Sequence, residues 1–266
     1  MQAIDADAKD LGLMLEAADT AARIAMSYFR KDPGVWYKNG DRSPVSEADI
    51  AIDKKLKHLL LGARPDYGWL SEEAEDDDRR LSRQRVFVID PIDGTRAYIG
   101  GRKDWCVSIG LVEDGVPVAG VLAAPARKET WKAVRGGGAY LNNIALDPAG
   151  TETGAVLRVV LPDVVAKAMR PGHAPKESLP GGPSLALRVA AVANGDFDAV
   201  YIRPHSNEWD LAAADVMLRE TGREIVGRAG HLMRYNQPDP SRSILLAARR
   251  ELIPELLAPL QPPVGH

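Results

Sequence analysis

Helix-like patterns that come in pairs between blocks of strand-like residues predict an α/β protein built from layers of helix and sheet. Three observations carry this. Apolar residues recur at three- and four-residue spacing in the first sixty positions, then show an alternating pattern between Trp105 and Ala124. Asp114-Gly115 sits in the middle of that alternation, a strong hairpin signal. And 266 residues suffice for one large domain or two small ones with real cores.

The elements follow in order. Leu11, Leu15, Ala18, Ala22, Ala25 and Phe29 share one helical face, and Pro33-Gly34 ends the pattern. A second helix starts near Ser46 and runs through Ile52, Leu56 and Leu59 to Gly62. Trp69-Leu70 and Val86 to Ile89 read as strands, separated by an acidic stretch from Glu72 to Asp78. Val107, Ile109 and Leu111, then Val116, Val118 and Val121, form the hairpin. Thr130 to Leu141 adds a strand pair around Gly136-Gly137-Gly138.

The second half changes texture. Pro171 to Pro183 is rich in Pro and Gly and reads as a long loop. Ser184 to Asn194 is a helix with Gly195 as its stop, Phe197 to Ile202 a strand, and Trp209 to Glu220 a helix ended by Gly222. Strands at Leu232–Tyr235 and Ile244–Ala247 and a short helix from Glu251 to Leu257 complete the reading. There is no internal repeat. Two lobes are expected, residues 1–150 and 151–266.

Composition excludes several functions. A net charge of −3 is not that of a basic nucleic-acid coat, so no nucleic-acid partner is expected. Cys106 is the only cysteine, which rules out an internal disulfide framework, a cysteine zinc site and an iron–sulfur cluster. No apolar run approaches the ~20 residues that span a bilayer, and the acidic start MQAIDADAKD is unlike a signal peptide. The expectation is a soluble, cytoplasmic protein with no membrane partner.

The densest chemical signal is Asp90-Pro91-Ile92-Asp93-Gly94-Thr95. An apolar strand delivers Asp90 at its end, Pro91 stops strand pairing, and a turn brings Asp93 close. Two carboxylates about 4 Å apart repel by roughly 4 kcal/mol at an effective dielectric near 20. A hard cation between them relieves that repulsion. Glu72-Glu73 follows a strand and can reach the same edge. Asp210, after Trp209, opens the apolar helix and reads either as a further ligand or as an N-cap. Asp49 completes a capping box with Ser46, which also orients its carboxylate. Thr95 is a turn residue that could polarise a water together with Asp49. The five histidines lack ligand spacing and read as surface or packing residues.

Four segments in this order resemble the inositol monophosphatase family: Pro44 to Asp49 (PVSEAD), Ser71-Glu72-Glu73, Asp90 to Thr95 (DPIDGT), and Trp209 to Ala213 (WDLAA). The resemblance spans roughly residues 10 to 250. It implies a layered α-β-α-β-α sandwich, a homodimer, and a Mg²⁺-dependent, lithium-sensitive phosphatase acting on a small phosphorylated substrate. It further implies that Glu72, Asp90, Asp93, Asp210 and the carbonyl of Ile92 hold two or three Mg²⁺ ions per site. Asp49 and Thr95 would orient the attacking water, with Glu72 also counted as catalytic. The amides of Gly94 and Thr95 would hold the phosphate. An all-oxygen donor set independently suits Mg²⁺ over zinc or copper.

Departures from the family pattern bear on substrate. Seven positions before Asp210, inositol-specific members usually carry Glu, and here it is Arg203. Arginine is a poor partner for a neutral polyol and a good one for a second phosphate. Arg96, directly after the DGT triplet, and Asn207, three before Asp210, also resemble the 3′(2′),5′-bisphosphate nucleotidases. Thr221-Gly222-Arg223 stands where the family usually has paired glycines. The expectation leans to 3′-phosphoadenosine 5′-phosphate over inositol 1-phosphate, with histidinol phosphate and other sugar phosphates open. A regulatory binding protein with the same fold is the reading from another class.

Overall fold

Five layers of helix and sheet stack in the computed structural model, which describes residues 2–31, 34–38, 43–147, 156–172 and 178–261. The outer layer pairs α1 (Gln2–Tyr28) with α2 (Glu47–Ala63), and a ladder of β1 (Val35–Lys38) and β2 (Ser43–Ser46) leads into α2. Beneath lies a seven-stranded sheet. Its order is β3 (Gly68–Ser71), β4 (Arg85–Asp93), β5 (Cys106–Glu113), β6 (Val116–Ala124), β7 (Glu129–Val134), β8 (Gly138–Leu141), β9 (Ile144–Ala145). Only the β3–β4 pair in it is parallel. A short α3 (Thr95–Ile99) follows β4.

The second sheet has the order β10 (Val159–Val160), β11 (Ala199–Ile202), β15 (Leu245–Arg249), β13 (Arg223–Gly227). Between the sheets run α5 (Leu185–Ala193) and α6 (Ala212–Glu220). The far face is covered by α7 (Ile253–Leu257) and α4 (Asp163–Ala166). A small ladder of β12 (Ser206–Asn207) and β14 (Ser241–Arg242) stands apart.

The strand period of two sorts the core into layers. On β4, Phe87 and Ile89 pack toward Met14, Ala18, Ala21 and Ala25 of α1, while Val86 and Val88 pack toward α5 and α6. On β11, Val200 faces α5 and α6, and Tyr201 faces the α7 side with Leu256. Sheets buried on both faces need apolar residues at nearly every position, which is why these strands read as apolar runs. The predicted α-β-α-β-α sandwich is the fold observed.

Local expectations held less evenly. The first helix extends well upstream of Leu11, to Gln2, with Pro33 outside the described residues. Leu232 to Tyr235 is not a strand. Leu232 makes one bridge to Val226, while Met233 N bonds Ile225 O at 3.0 Å and Tyr235 N bonds Gly115 O at 3.0 Å, so no ladder forms. Trp209 to Glu220 is not one helix either: a 3-10 turn, Glu208–Asp210, breaks at Leu211 before α6 begins. The proposed lobe boundary near 150 and part of the Pro171–Pro183 loop lie outside the described residues.

One packing contact fixes α6 against the large sheet. Gly110 and Gly120 are cross-strand partners on β5 and β6. A Cβ on Gly120 would lie 2.2 Å from Ala213 O, and one on Gly110 2.8 Å from Ala212 Cβ. The helix after Asp210 therefore touches the sheet backbone directly.

Candidate metal centre and active site

Pro91 does not stop β4. The strand pairs with β5 through Asp93, with a bulge: Asp90 lies opposite Ser108 and Asp93 opposite Cys106, so three steps on β4 face two on β5. Residues three apart on a regular strand point to opposite faces. The extra residue reverses that and turns both carboxylates the same way. Proline suits the bulge because it has no N–H to contribute to a ladder.

The bulge and the 3-10 turn meet. Carboxylate oxygens of Asp90, Asp93 and Asp210 all lie within 4.8 Å of one another. Asp90 and Asp93 are buried. Asp90 Oδ1 accepts the Ile92 N–H at 2.9 Å. Asp210 is not an N-cap: its Oδ2 accepts the Asn207 N–H at 2.7 Å, as the fourth member of a capping box begun by Asn207. Glu72 enters beside them, because β3 runs parallel to β4 and Glu72 N bonds Ile89 O at 3.2 Å.

The electrostatics are those of a crowded acidic site. Burial, then Asp210 and Glu73, push Glu72 up to about 8. Burial and then Asp93 push Asp210 to about 7. Asp90 is raised well above the usual carboxylate range by burial first and Glu72 second. Asp49 is pushed by burial to about 6, although its Oδ2 accepts both the Ser46 N–H (2.8 Å) and the Ser46 hydroxyl (2.6 Å). Closely set carboxylates that resist ionisation, with only oxygen donors in reach, are the chemistry of a hard divalent cation site.

Asp93 has a further anchor that sequence reasoning missed. It sits at the N-terminus of α5, where Leu185 N and Ala186 N donate to it at 3.2 and 2.8 Å and the Ser184 hydroxyl donates as well. An anion at a helix start is stabilised by both the amides and the dipole. The sequence marked Ser184 as the start of a helix, but not as a partner of Asp93.

Gly94 and Thr95 open α3. Gly94 caps it at φ +92°, and a Cβ there would lie 2.9 Å from Asp104 O, so only glycine fits. The N-terminal amides of a helix have no intrahelical acceptor and face outward. Thr95 Oγ1 donates to Ile92 O at 2.9 Å. No direct hydrogen bond joins Thr95 and Asp49 among the described residues. The Asp49 charge is nevertheless close enough to raise Asp90 and Glu72.

Arg203 is exposed, and its charge reaches both Asp210 and Arg188. Arg188, half-buried on α5, was not singled out from the sequence. Burial lowers its pKa against the pull of Asp93 and Asp210. Arg96 is exposed on the first turn of α3. His58, His205 and His231 are exposed and outside the acidic cluster, as expected, while His173 and His266 lie outside the described residues.

A sequence profile of the inositol monophosphatase family matches residues 9–263. The chain belongs to this family. Its members are metal-dependent phosphomonoester hydrolases, and this protein is one of that class. The chain is 32% identical over 234 residues to a histidinol-phosphatase of Mycobacterium tuberculosis, covering 83% of this chain and 88% of the relative. It is 31% identical over 264 residues to a 3′-phosphoadenosine 5′-phosphate phosphatase of Mycobacterium leprae, covering 95% and 93%. Among solved structures, the suppressor protein SuhB of Bartonella henselae superposes with a TM-score of 0.78 at 26% identity, over 95% of this chain and 98% of that one. No helix among the described residues is long and apolar enough to cross a membrane.

Proposed function

We propose that this family member is a Mg²⁺-dependent phosphomonoesterase whose preferred substrate is a 3′(2′),5′-bisphosphate nucleotide. The observation that supports the metal reading is the meeting of Asp90, Asp93 and Asp210 within 4.8 Å. With Glu72 and the Ile92 carbonyl, they would hold the ions. Bound Mg²⁺ would lower the pKa of a water, neutralise phosphate oxygens and stabilise the leaving alkoxide.

The protein's own groups do the rest. The amides at the start of α3 hold phosphate oxygens. Thr95, with its proton committed to Ile92 O, presents lone pairs that accept a hydrogen bond from the attacking water. Asp49, held by Ser46, is the group that takes the proton of that water. No nucleophilic serine or cysteine is needed.

Two arginines support the substrate reading. The charge of Arg203 acts on Arg188 of α5, and both act on Asp210, so the two arginines stand on the side of the site that α5 and the WD segment share. A pair of guanidiniums suits a second phosphate. It opposes the ammonium of histidinol phosphate, the substrate class that the name of the tuberculosis relative suggests. The name of the leprae relative, which is aligned over 95% of this chain, agrees with the bisphosphate reading.

The test is phosphate release from 3′-phosphoadenosine 5′-phosphate, inositol 1-phosphate and histidinol phosphate, each with Mg²⁺ and with excess chelator. The expected result is metal-dependent release, fastest from the nucleotide. Release unaffected by chelation would sink the metal reading, and faster release from either monophosphate would sink the substrate preference.

A further inference from the structure

Glu208, two residues before Asp210, is fully buried at 0% exposure. A carboxylate so placed needs donors on every side. Its donors come from one returning segment. Asn236 N reaches Oε2 at 2.6 Å, Gln237 N reaches Oε1 at 3.1 Å, and Arg242 forms an ion pair with the same group.

That segment is gripped from its other side by Arg80, also buried. Arg80 Nη1 donates to Asn236 Oδ1 at 2.8 Å and Nη2 to Gln237 O at 3.0 Å, while Asn236 Nδ2 returns a bond to Arg80 O at 3.1 Å. The remaining donors of Arg80 form a forked pair with Asp76, at 2.6 and 2.7 Å. Asp76 stands four residues after Glu72. A continuous run of bonds therefore leads from the segment carrying Glu72, through Arg80 and Asn236-Gln237, to Glu208 and the turn carrying Asp210.

We propose that Glu208 is a positioning residue that locks the Asp210 turn to the Glu72 segment and so sets the spacing of the metal-binding carboxylates. The inference rests on reading those carboxylates as a metal site. The acidic groups repel one another, and the two segments are joined by no strand pairing: among the described residues, Glu72 follows β3, and Asp210 follows β12, which pairs only with β14. A stiff link between them keeps the carboxylates close before a cation arrives. Outer partners of metal ligands that fix orientation in this way are worth about 10–100-fold in metal affinity.

The experiment measures Mg²⁺ and Mn²⁺ binding by titration calorimetry, and thermal unfolding in chelator, for wild type, Glu208→Gln and Asn236→Ala. Glu208→Gln keeps the volume but loses the charge and one acceptor. Asn236→Ala cuts the side-chain bonds to Arg80 and leaves the backbone donor to Glu208 and every buried charge in place. The expected result is metal affinity weaker by about tenfold or more for Glu208→Gln and by a smaller factor for Asn236→Ala, with kcat recovered at saturating metal. Unchanged metal affinity with a lowered unfolding midpoint would overturn the proposal, since that is what a purely structural clamp gives. If Glu208→Gln does not fold, Asn236→Ala decides alone. A wild type that binds neither ion fails the metal-site reading itself, and is told apart because no variant is needed to see it.

Discussion

Ser184, the N-cap of α5, donates its hydroxyl hydrogen bond to Asp93, ninety-one residues earlier in the chain. The same hydroxyl oxygen accepts the Leu187 N–H at 3.1 Å, so one atom both starts a helix and holds a candidate metal ligand. Ser184→Ala should lower stability by about 1–2 kcal/mol through the lost cap and the lost charged hydrogen bond. It should also weaken Mg²⁺ binding, whereas Ser184→Thr should largely restore both. Urea unfolding and metal titration of the two variants check this. Loss of stability with metal affinity unmoved would show that the two α5 amides suffice to hold Asp93.

Charge at the cluster is expected to matter more than shape. Asp93→Asn and Asp210→Asn keep the side-chain volume and remove one negative charge each. Both should abolish turnover while leaving the circular dichroism of the folded protein intact. Mg²⁺ at about 100 times its Kd should raise the stability of wild type by about 2.7 kcal/mol, and the variants should show little of that gain. A wild-type melting temperature indifferent to Mg²⁺ would remove the cluster from consideration as an ion site.

The buried carboxylates also set a pH dependence. In the metal-free protein, Glu72 (about 8), Asp210 (about 7) and Asp49 (about 6) hold protons at pH values where an unfolded chain has already lost them. The folded state then binds more protons than the unfolded one, so stability falls as pH rises from about 4 through about 8. Chelated protein should therefore melt lower at about pH 8 than at about pH 6. Saturating Mg²⁺ should flatten or reverse that slope, because the ion binds the deprotonated site and releases protons on binding. Calorimetric titrations in buffers of different ionisation enthalpy would count those protons. A flat profile in chelator would mean that burial does not keep these groups protonated.

Thr95 tests the division of labour at the water. Its hydroxyl donates to Ile92 O and has only lone pairs left to offer. On the proposed role, in which Thr95 orients the nucleophile rather than the bound substrate, Thr95→Ala should lower kcat more than it raises KM. Thr95→Ser should recover most of the rate. A change in KM alone would place Thr95 in substrate binding instead.

How much of this was visible in the amino-acid order depends on distance along the chain. Asp90 and Asp93 lie in one six-residue turn signature, Asp90 to Thr95, and Trp209-Asp210 precedes an apolar helix, so all three could be read as candidates. The bulge that turns Asp90 and Asp93 the same way could not, because Pro91 reads equally as a strand end. Ser184 announced a helix start but not its partner, and nothing local singled out Arg188 on α5. Leu232 to Tyr235 has strand-like residues, yet its amides are used by Ile225 and Gly115, a pairing set by tertiary approach. Glu208 carries no local signal at all: its donors, Asn236, Gln237 and Arg242, are brought to it by the return of the chain. Local chemistry was legible, and the long-range bonds that hold it were not.

The proposed preference for a bisphosphate nucleotide rests on Arg203 and Arg188. If they meet a second phosphate across the sugar from the scissile one, each charge-assisted contact is worth roughly 1.5–3 kcal/mol, about ten- to a hundredfold in kcat/KM. Arg203→Ala should then weaken hydrolysis of 3′-phosphoadenosine 5′-phosphate by that factor and leave inositol 1-phosphate nearly unchanged. Arg188→Ala should weaken the nucleotide reaction too. It should also carry a smaller loss on both substrates, because Arg188 Nε bonds Ser184 O at 3.3 Å and its charge reaches Asp93. Arg203→Glu should go further than Arg203→Ala on the nucleotide, by repelling its second phosphate, and should help the polyol by offering its hydroxyls an acceptor. The measurement is kcat/KM for both substrates on wild type and the three variants. Arg203 is exposed, so its replacement should leave the fold intact and the kinetic comparison clean. Equal losses on both substrates for Arg203→Ala would mean that its charge serves the acidic cluster rather than the substrate, and the preference for a bisphosphate would fall with it.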